Sequence, residues 1–208
     1  MSSYRRRVLA ISAGLALAGA AAFAQPAPSS QPGPARLRGT IDALGDGVMD
    51  MTVRGGAKAH VLLPANVRTT YVVAAKLADI QPNSYIGTAA RPQPDGTLRA
   101  LEVHVFPPSM RGSGEGSRPF DLEPGSSMTN GTVGSLVTTS GRVATVKFGN
   151  DEKKVLIPDD VPVVSFEPTD RSALKAGAQV IVSGQRAADG TVTAASINIG
   201  KDGLTPPM

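Results

Sequence analysis

The stretch Asp95-Gly96-Thr97-Leu98-Arg99-Ala100-Leu101-Glu102-Val103-His104-Val105-Phe106 returns, altered in detail, as Asp189-Gly190-Thr191-Val192-Thr193-Ala194-Ala195-Ser196-Ile197-Asn198-Ile199. In the first copy Leu101, Val103 and Val105 alternate with Glu102 and His104; in the second Ala195, Ile197 and Ile199 alternate with Ser196 and Asn198. Apolar side chains at every second position predict a strand that covers a core with one face. An Asp-Gly pair ahead of each copy supplies the turn into it. The chain therefore states one hairpin strand twice.

Gly39-Thr40-Ile41 likewise recurs as Gly131-Thr132-Val133, and Val61-Leu62-Leu63-Pro64 as Val155-Leu156-Ile157-Pro158. The first pair is offset by 92 residues (131 − 39), the second and the Asp-Gly-Thr pair by 94 (155 − 61, 189 − 95), so an insertion of two residues explains the drift. This is a duplicated module, with one copy over 36–106 and the other over 130–199. Residues 107–129 form a Gly, Pro and Ser-rich linker, and residues 200–208 a short tail.

Met49-Asp50-Met51-Thr52-Val53 and Ala144-Thr145-Val146-Lys147-Phe148 alternate in the same way. Turn signals at Gly45-Asp46-Gly47, Arg54-Gly55-Gly56 and Gly149-Asn150-Asp151 cut each module into short strands at hairpin spacing. One brief helical turn per module is expected, at 75–80 and at 170–175. The fold class is all-β. Five or six short antiparallel strands with a small helix before the last hairpin predict two tandem small OB-like β-barrels, in which closure removes exposed edges; a small sandwich is the alternative. A unit of about 70 residues buries only ~60% of its unfolded surface, so the two modules are expected to lean on one another.

The N-terminus has the three zones of an export signal: Arg5-Arg6-Arg7, an apolar stretch from Val8 to Phe23, and Ala22-Phe23-Ala24 before Gln25. Residues 1–24 are read as a signal peptide, which places the mature protein in the periplasm or outside the cell, and 25–35 as a disordered Pro, Ser and Gln lead-in. Tyr4-Arg5-Arg6-Arg7-Val8-Leu9 fits the twin-arginine route as well as the general one. The whole chain carries 21 basic and 17 acidic residues, but the leader holds three Arg and no acid, leaving 18 − 17 = +1. A near-neutral chain without a Lys/Arg run lacks the footprint that displaces counterions from phosphates, so nucleic acid is not an expected partner. Cysteine is absent, which excludes disulfides, thiolate metal sites, a Cys nucleophile and a lipidated Cys anchor. No other segment is long enough to span a bilayer.

The chemistry-bearing residues are few. His60 and His104 both fall on strands, on faces away from the apolar positions, and align with Lys154 and Asn198. They are the candidate metal ligands, with carboxylates or Met beside them; against that, two surface or edge histidines rarely complete a site. Met49 and Met51 share an apolar face and are read as core fillers. The acids lie mostly in turns, Asp159-Asp160 point to opposite faces of a strand, and Ser109 and Ser113 have no G-x-S-x-G setting, so neither a carboxylate dyad nor a hydrolase triad is visible. Gly112-Ser113-Gly114-Glu115-Gly116 lacks the Gly-Lys-Ser/Thr ending of a phosphate loop. With three Tyr and no Trp, stacking platforms are thin.

Taken together, Arg38-Gly39-Thr40-Ile41, Pro94 through Phe106, and Met110-Arg111-Gly112 through Asp121-Leu122 to Met128-Thr129-Asn130 resemble a family of exported bacterial proteins built from a small OB-like domain of unknown function, often in tandem. The resemblance spans both modules. Similar proteins commonly carry a His and a Trp where this chain has Ser117 and Phe120, which weakens a metal reading of the linker. Some relatives carry a metal-transporter permease label; a permease needs several membrane spans, so for this chain the label implies at most a periplasmic accessory role.

The linker places Met110, Arg111, Arg118, Phe120 and Leu122 among its glycines, side chains able to pack across the modules or present a contact surface. These five are the candidate interaction residues. The functional expectation is a non-enzymatic periplasmic binding or interaction protein without a cofactor, engaging an envelope protein or a glycan. The alternatives are a metal-associated accessory protein and, third, an envelope hydrolase. A groove lined by both modules and the linker would mark the first.

Overall fold

The structure, a computed structural model, describes residues 32–137 and 142–208. The expected leader and residues 25–31 of the lead-in lie outside the described residues. Strands occupy 57% of the described residues and helical turns 7%, so sheet faces alone must enclose the core. The first copy contributes β1 (Gly33–Leu44), β2 (Val48–Val53), β3 (Lys58–Leu62), β4 (Arg68–Ala74), β5 (Tyr85–Pro92) and β6 (Leu98–Val105). After β7 (Gly116–Pro119) the second copy contributes β8 (Ser127–Val137), β9 (Arg142–Phe148), β10 (Asp151–Ile157), β11 (Val163–Pro168), β12 (Gln179–Arg186) and β13 (Val192–Gly200). The expected helical turns are single 3-10 turns, Leu77–Asp79 and Arg171–Ala173.

Each repeated motif has a physical job. At Gly39 and Gly131 a β-carbon would collide with the backbone carbonyl of Thr52 and of Lys147 respectively, because β1 and β8 pass directly under their partner strands. Two residues further on, both strands change register, between Ile41 and Ala43 and between Val133 and Ser135, which adds the bend a tightly coiled sheet needs. Val61 and Leu63, like Val155 and Ile157, point inward and are almost fully buried before a proline ends the run. In the Asp-Gly-Thr turns the Asp carboxylate accepts the backbone N–H of the Thr, at 3.0 Å in one copy and 2.9 Å in the other. Gly96 and Gly190 sit there at φ 81° and 87°, a region open to glycine at no steric cost.

The strand pairing crosses between the copies. β1, β2 and β3 pair in sequence, β3 then pairs in parallel with β13, β13 with β12, and β12 back with β1, closing a five-strand ring. β8, β9 and β10 close a second ring with β6 and β5 in the same way. Each ring thus takes three strands from one copy and the last hairpin from the other. The two apolar cores follow the rings rather than the contiguous segments 36–106 and 130–199: Ile41, Met49 and Met51 pack with Val182 and Ile197, while Ile86 and Val103 pack with Val146 and Val155. The 3-10 turns anchor the crossing. Ile80, after β4, is buried in the second ring, and its copy Leu174 in the first.

β4 and β11 pair antiparallel with Val72 opposite Phe166, which is its own copy (72 + 94 = 166), so a local two-fold axis passes between them. There the outer faces of the rings meet in a third apolar cluster of Val72, Val164, Phe166, Ile181 and Met208. The linker and tail pack onto it through Met110, Phe120 and Leu204. Residues 107–129 are accordingly ordered: a 3-10 turn at Pro108–Met110 is followed by β7, which pairs with β8. β1 begins at Gly33, inside the segment read as lead-in, and pairs with β12 from its first residue.

The alternation read at Leu101, Val103 and Val105 is interrupted. Pairing with β5 steps from Glu102 to Ala100, so Leu101 is an extra, half-buried residue and the inward set becomes Leu98, Ala100 and Val103. The second copy carries the matching step at Ser183/Gly184.

Two outcomes follow from this architecture. A chain ending at Phe106 holds β1–β3 without the hairpin that completes their ring, so residues 32–106 alone should give no folded monomer by sedimentation and circular dichroism; a cooperatively melting monomer would contradict the exchange. Gly131→Ala forces a methyl group against the Lys147 carbonyl and should lower the free energy of unfolding by ~1–3 kcal/mol in urea titration, whereas the same change at Gly47, where a β-carbon meets nothing, should act only through its φ of 73°.

Candidate functional site

The polar face of β6 is not solvated. Glu102 is fully buried and His104 only 3% exposed, because that face looks into the seam between the rings rather than outward. His104 lies among Phe106 and Phe166, with ring centroids 5.5 and 5.6 Å away. On β8, Asn130 is 5% exposed and stands across Gly87 from His104. A β-carbon at Gly87 would lie 2.6 Å from Asn130 Oδ1 and 2.9 Å from His104 Nε2, so the glycine keeps open the space where these groups converge.

Glu102 Oε1 accepts the backbone N–H of Ala89 at 2.8 Å and approaches His104 Nε2 to 3.1 Å. That approach misses hydrogen-bond geometry. Glu102 Oε2, both ring nitrogens of His104 and Asn130 Oδ1 are buried without a partner among the described residues, and an unmet buried polar group costs about 1–3 kcal/mol. The Asn130 amide donates to the Ser113 carbonyl at 3.0 Å, tying the linker to this seam. Burial pushes the Glu102 carboxyl up to about 8 against the opposing pull of the Ala89 N–H and the Arg38 charge, and pushes the His104 imidazole down to about 3. Both groups are neutral near pH 7, so the 3.1 Å contact is a close approach of uncharged groups and not an ion pair.

The two-fold copies of these residues differ in chemistry. Gly87, Glu102 and His104 correspond to Ile181, Ser196 and Asn198 (each + 94), and Asn130 corresponds to Arg38 (130 − 92). On the opposite side of the seam the register position of Asn130 therefore holds a guanidinium. Arg38 donates through Nη1 and Nη2 to both carboxylate oxygens of Asp121, at 3.0 and 2.8 Å, and through Nε to the Met208 main-chain oxygen at 2.7 Å. Arg36 adds a bond to Asp121 at 2.8 Å, and its guanidinium lies over the Phe120 ring at 4.5 Å. The Arg38 hydrogen bonds, with those of Arg36 behind them, hold the Asp121 carboxyl down at about 2.

Around this pair runs a cleft of about 350 Å³ bordered by Arg36, Arg38, Arg54, Arg186, Asp121 and Leu122. The Arg54 N–H donates to the Arg38 carbonyl at 2.7 Å, which fixes the two residues side by side. Four arginines thus border a cleft with one carboxylate, and Arg36 and Arg38 reach it. Arg38 is largely buried, but the Asp121 carboxylate is half exposed, so water reaches the acidic side of the pair.

The residues singled out in the sequence scatter over three places. His60 lies on β3, exposed, with Nδ1 2.7 Å from Asp50 Oδ1, while His104 is buried on β6, a strand that does not pair with β3. Among the described residues no three His, Cys, Asp or Glu side chains gather as a metal site. Of the linker residues, Met110 packs into the seam, Arg111 donates to the Asn83 carbonyl and to Thr132 Oγ1, and Arg118 bonds the Gly114 carbonyl at 2.8 Å. Leu122 borders the arginine cleft, and Phe120 a neighbouring cleft that shares Arg36 and Asp121 with it. Sequence reasoning missed Arg36, Arg38 and Asp121. The signal was the alternation Arg36-Leu37-Arg38 on β1, which puts two cations on one face.

Residues 164–198, from β11 to near the end of β13, match the model of a domain of unknown function, DUF5666. No curated protein and no solved structure matches the chain. No helix among the described residues is long and apolar enough to cross a membrane.

The buried pair dictates a pH profile. Folded Glu102 keeps its proton up to about 8, whereas an unfolded Glu releases it near 4.5, so the folded state binds more protons in that window and stability falls as pH rises through it. His104 runs the other way: it stays neutral down to about 3 against an ordinary 6.5, so stability rises with pH across that interval. The two slopes offset between 4.5 and 6.5. Urea unfolding should show a plateau there, with stability falling on both sides, and Glu102→Gln should flatten the alkaline fall while keeping the acid one. An alkaline slope unchanged by Glu102→Gln would contradict the assignment.

Proposed function

We propose that the chain acts after export, in the periplasm or outside the cell, as a non-enzymatic binding module that engages an envelope partner through the cleft where β1, β12 and the linker meet. In this reading each five-strand ring is a small OB-like barrel, closed with a hairpin from the other copy, and the linker is part of the binding face rather than a spacer. The observation that carries it is the concentration of Arg36, Arg38, Arg54 and Arg186 around a single linker carboxylate, in a cleft bordered by both copies and the linker. Such a cleft concentrates charge at one address on a chain whose mature net charge is close to zero. The burial of Glu102 and His104 supports a non-enzymatic role, since a substrate would meet neither group without parting the seam.

The test is a photo-reactive residue placed at Leu122, at the cleft, or at Leu62, exposed on β3, in the full chain produced in its own host. A discrete adduct from Leu122 but not from Leu62, on a protein recovered outside the cytoplasm with Gln25 as its first residue, is the expected result. Equal labelling from both positions, no adduct from either, or retention in the cytoplasm would overturn the reading.

A further inference from the structure

We propose that the ligand of the arginine cleft is an acidic peptide segment of a partner protein, and that Phe120-Asp121 is a tethered stand-in which such a segment displaces. The inference rests on the binding reading above and names the chemistry of what is bound. The stand-in shows what the cleft recognises. Phe120 lies under the guanidinium of Arg36, 4.5 Å from its ring centroid, and within 5.8 Å of Arg38. The neighbouring carboxylate takes the Arg38 fork through both oxygens. An aromatic residue followed by an acid, in a non-helical stretch of chain, therefore fits two adjacent features at once: a cationic platform and a planar donor pair.

The seat is under-filled in charge. Arg36 and Arg38 share Asp121, but Arg186 bonds only the Gly190 carbonyl, within its own hairpin, and Arg54 is exposed with no side-chain hydrogen bond or ion pair among the described residues. Both border the same cleft as Asp121. A peptide with two or more acids gains what the single linker carboxylate does not supply, while the half exposure of Asp121 leaves it open to exchange. A tethered group competes at its effective concentration, in the millimolar range for short connections, so a weak external ligand is suppressed roughly tenfold or more while the stand-in is seated.

The experiment titrates the full mature chain with a fluorescent peptide of sequence Pro-Phe-Asp-Leu-Glu-Pro, copied from residues 119–124. Asp121→Asn should bind it about tenfold more tightly than the unaltered chain. Adding Arg54→Ala and Arg186→Ala should remove that gain, as should raising the salt or replacing the peptide's Asp and Glu by Asn and Gln. Equal affinity of the two chains, or binding indifferent to peptide charge, would overturn the proposal. So would inorganic phosphate displacing the peptide at the same concentration, which would assign the cleft to small anions. If Asp121→Asn does not fold, the unaltered chain is titrated instead and the Asp121 backbone N–H resonance followed by NMR: a shift at saturating peptide supports displacement, and a static signal refutes it. Failure of the peptide alongside an intact Leu122 adduct would sink this inference and leave the binding reading standing, whereas loss of that adduct removes the reading itself.

Discussion

The structure depends on the pairing of β4 with β11, where Val72 lies opposite Phe166. Because Ala74 pairs with Val164, the counterpart of Thr70, and Thr70 with Pro168, the counterpart of Ala74, a single set of contacts is used twice about a local axis, as in an isologous interface. On either side of that axis the chain leaves its own ring and enters the other, and Ile80 and Leu174 anchor the crossings. Neither ring closes without the hairpin it receives, so ring closure and the union of the two halves are one event. The pairing is also costly to reach: the side chain of Gln179 bonds Thr40 across 139 residues, and contacts of that separation are made only after much of the chain has been ordered.

Chemistry enters where the two-fold symmetry is broken. The backbone of the seam is nearly symmetric, but one side holds Gly87, Asn130, Glu102 and His104 and the other Ile181, Arg38, Ser196 and Asn198. The first set is buried and poorly partnered among the described residues, which costs stability; the second reaches solvent through Arg38, whose guanidinium is engaged by Asp121 and Met208. The linker touches both, through Ser113 on Asn130 and Asp121 on Arg38, so one segment reports on both sides of the seam.

How much of this stood in the sequence follows from the range of the signals. Strands, turns and the recurring motifs are local, and Met49 and Met51 lie in the core as their alternation implied. The bulge at Leu101 was hidden because an extra residue changes parity without changing composition. The exchange of hairpins was hidden for a different reason: two equivalent copies offer each strand two equivalent partners, and periodicity cannot choose between them. That ambiguity also put His104 on a face read as solvated, since what covers it, Phe166 on β11, belongs to the other copy. The arginine cleft was half legible. Arg36 and Arg38 share a face by alternation, but only the path of the linker brings Asp121 to them.

The hairpin exchange has a genealogical consequence. Two separate chains that traded their last hairpins about a two-fold axis would make these same two rings, and joining the end of one to the start of the next would give the present topology with residues 107–129 as the splice. In such a pair every substitution is expressed on both sides of the axis, so a carboxylate at 102 or a guanidinium at 38 would occur twice. Once the chains are fused, each side mutates alone. A buried acid on one side and an arginine fork on the other become permissible only then, and the splice itself, lying outside both halves, answers to no symmetry at all.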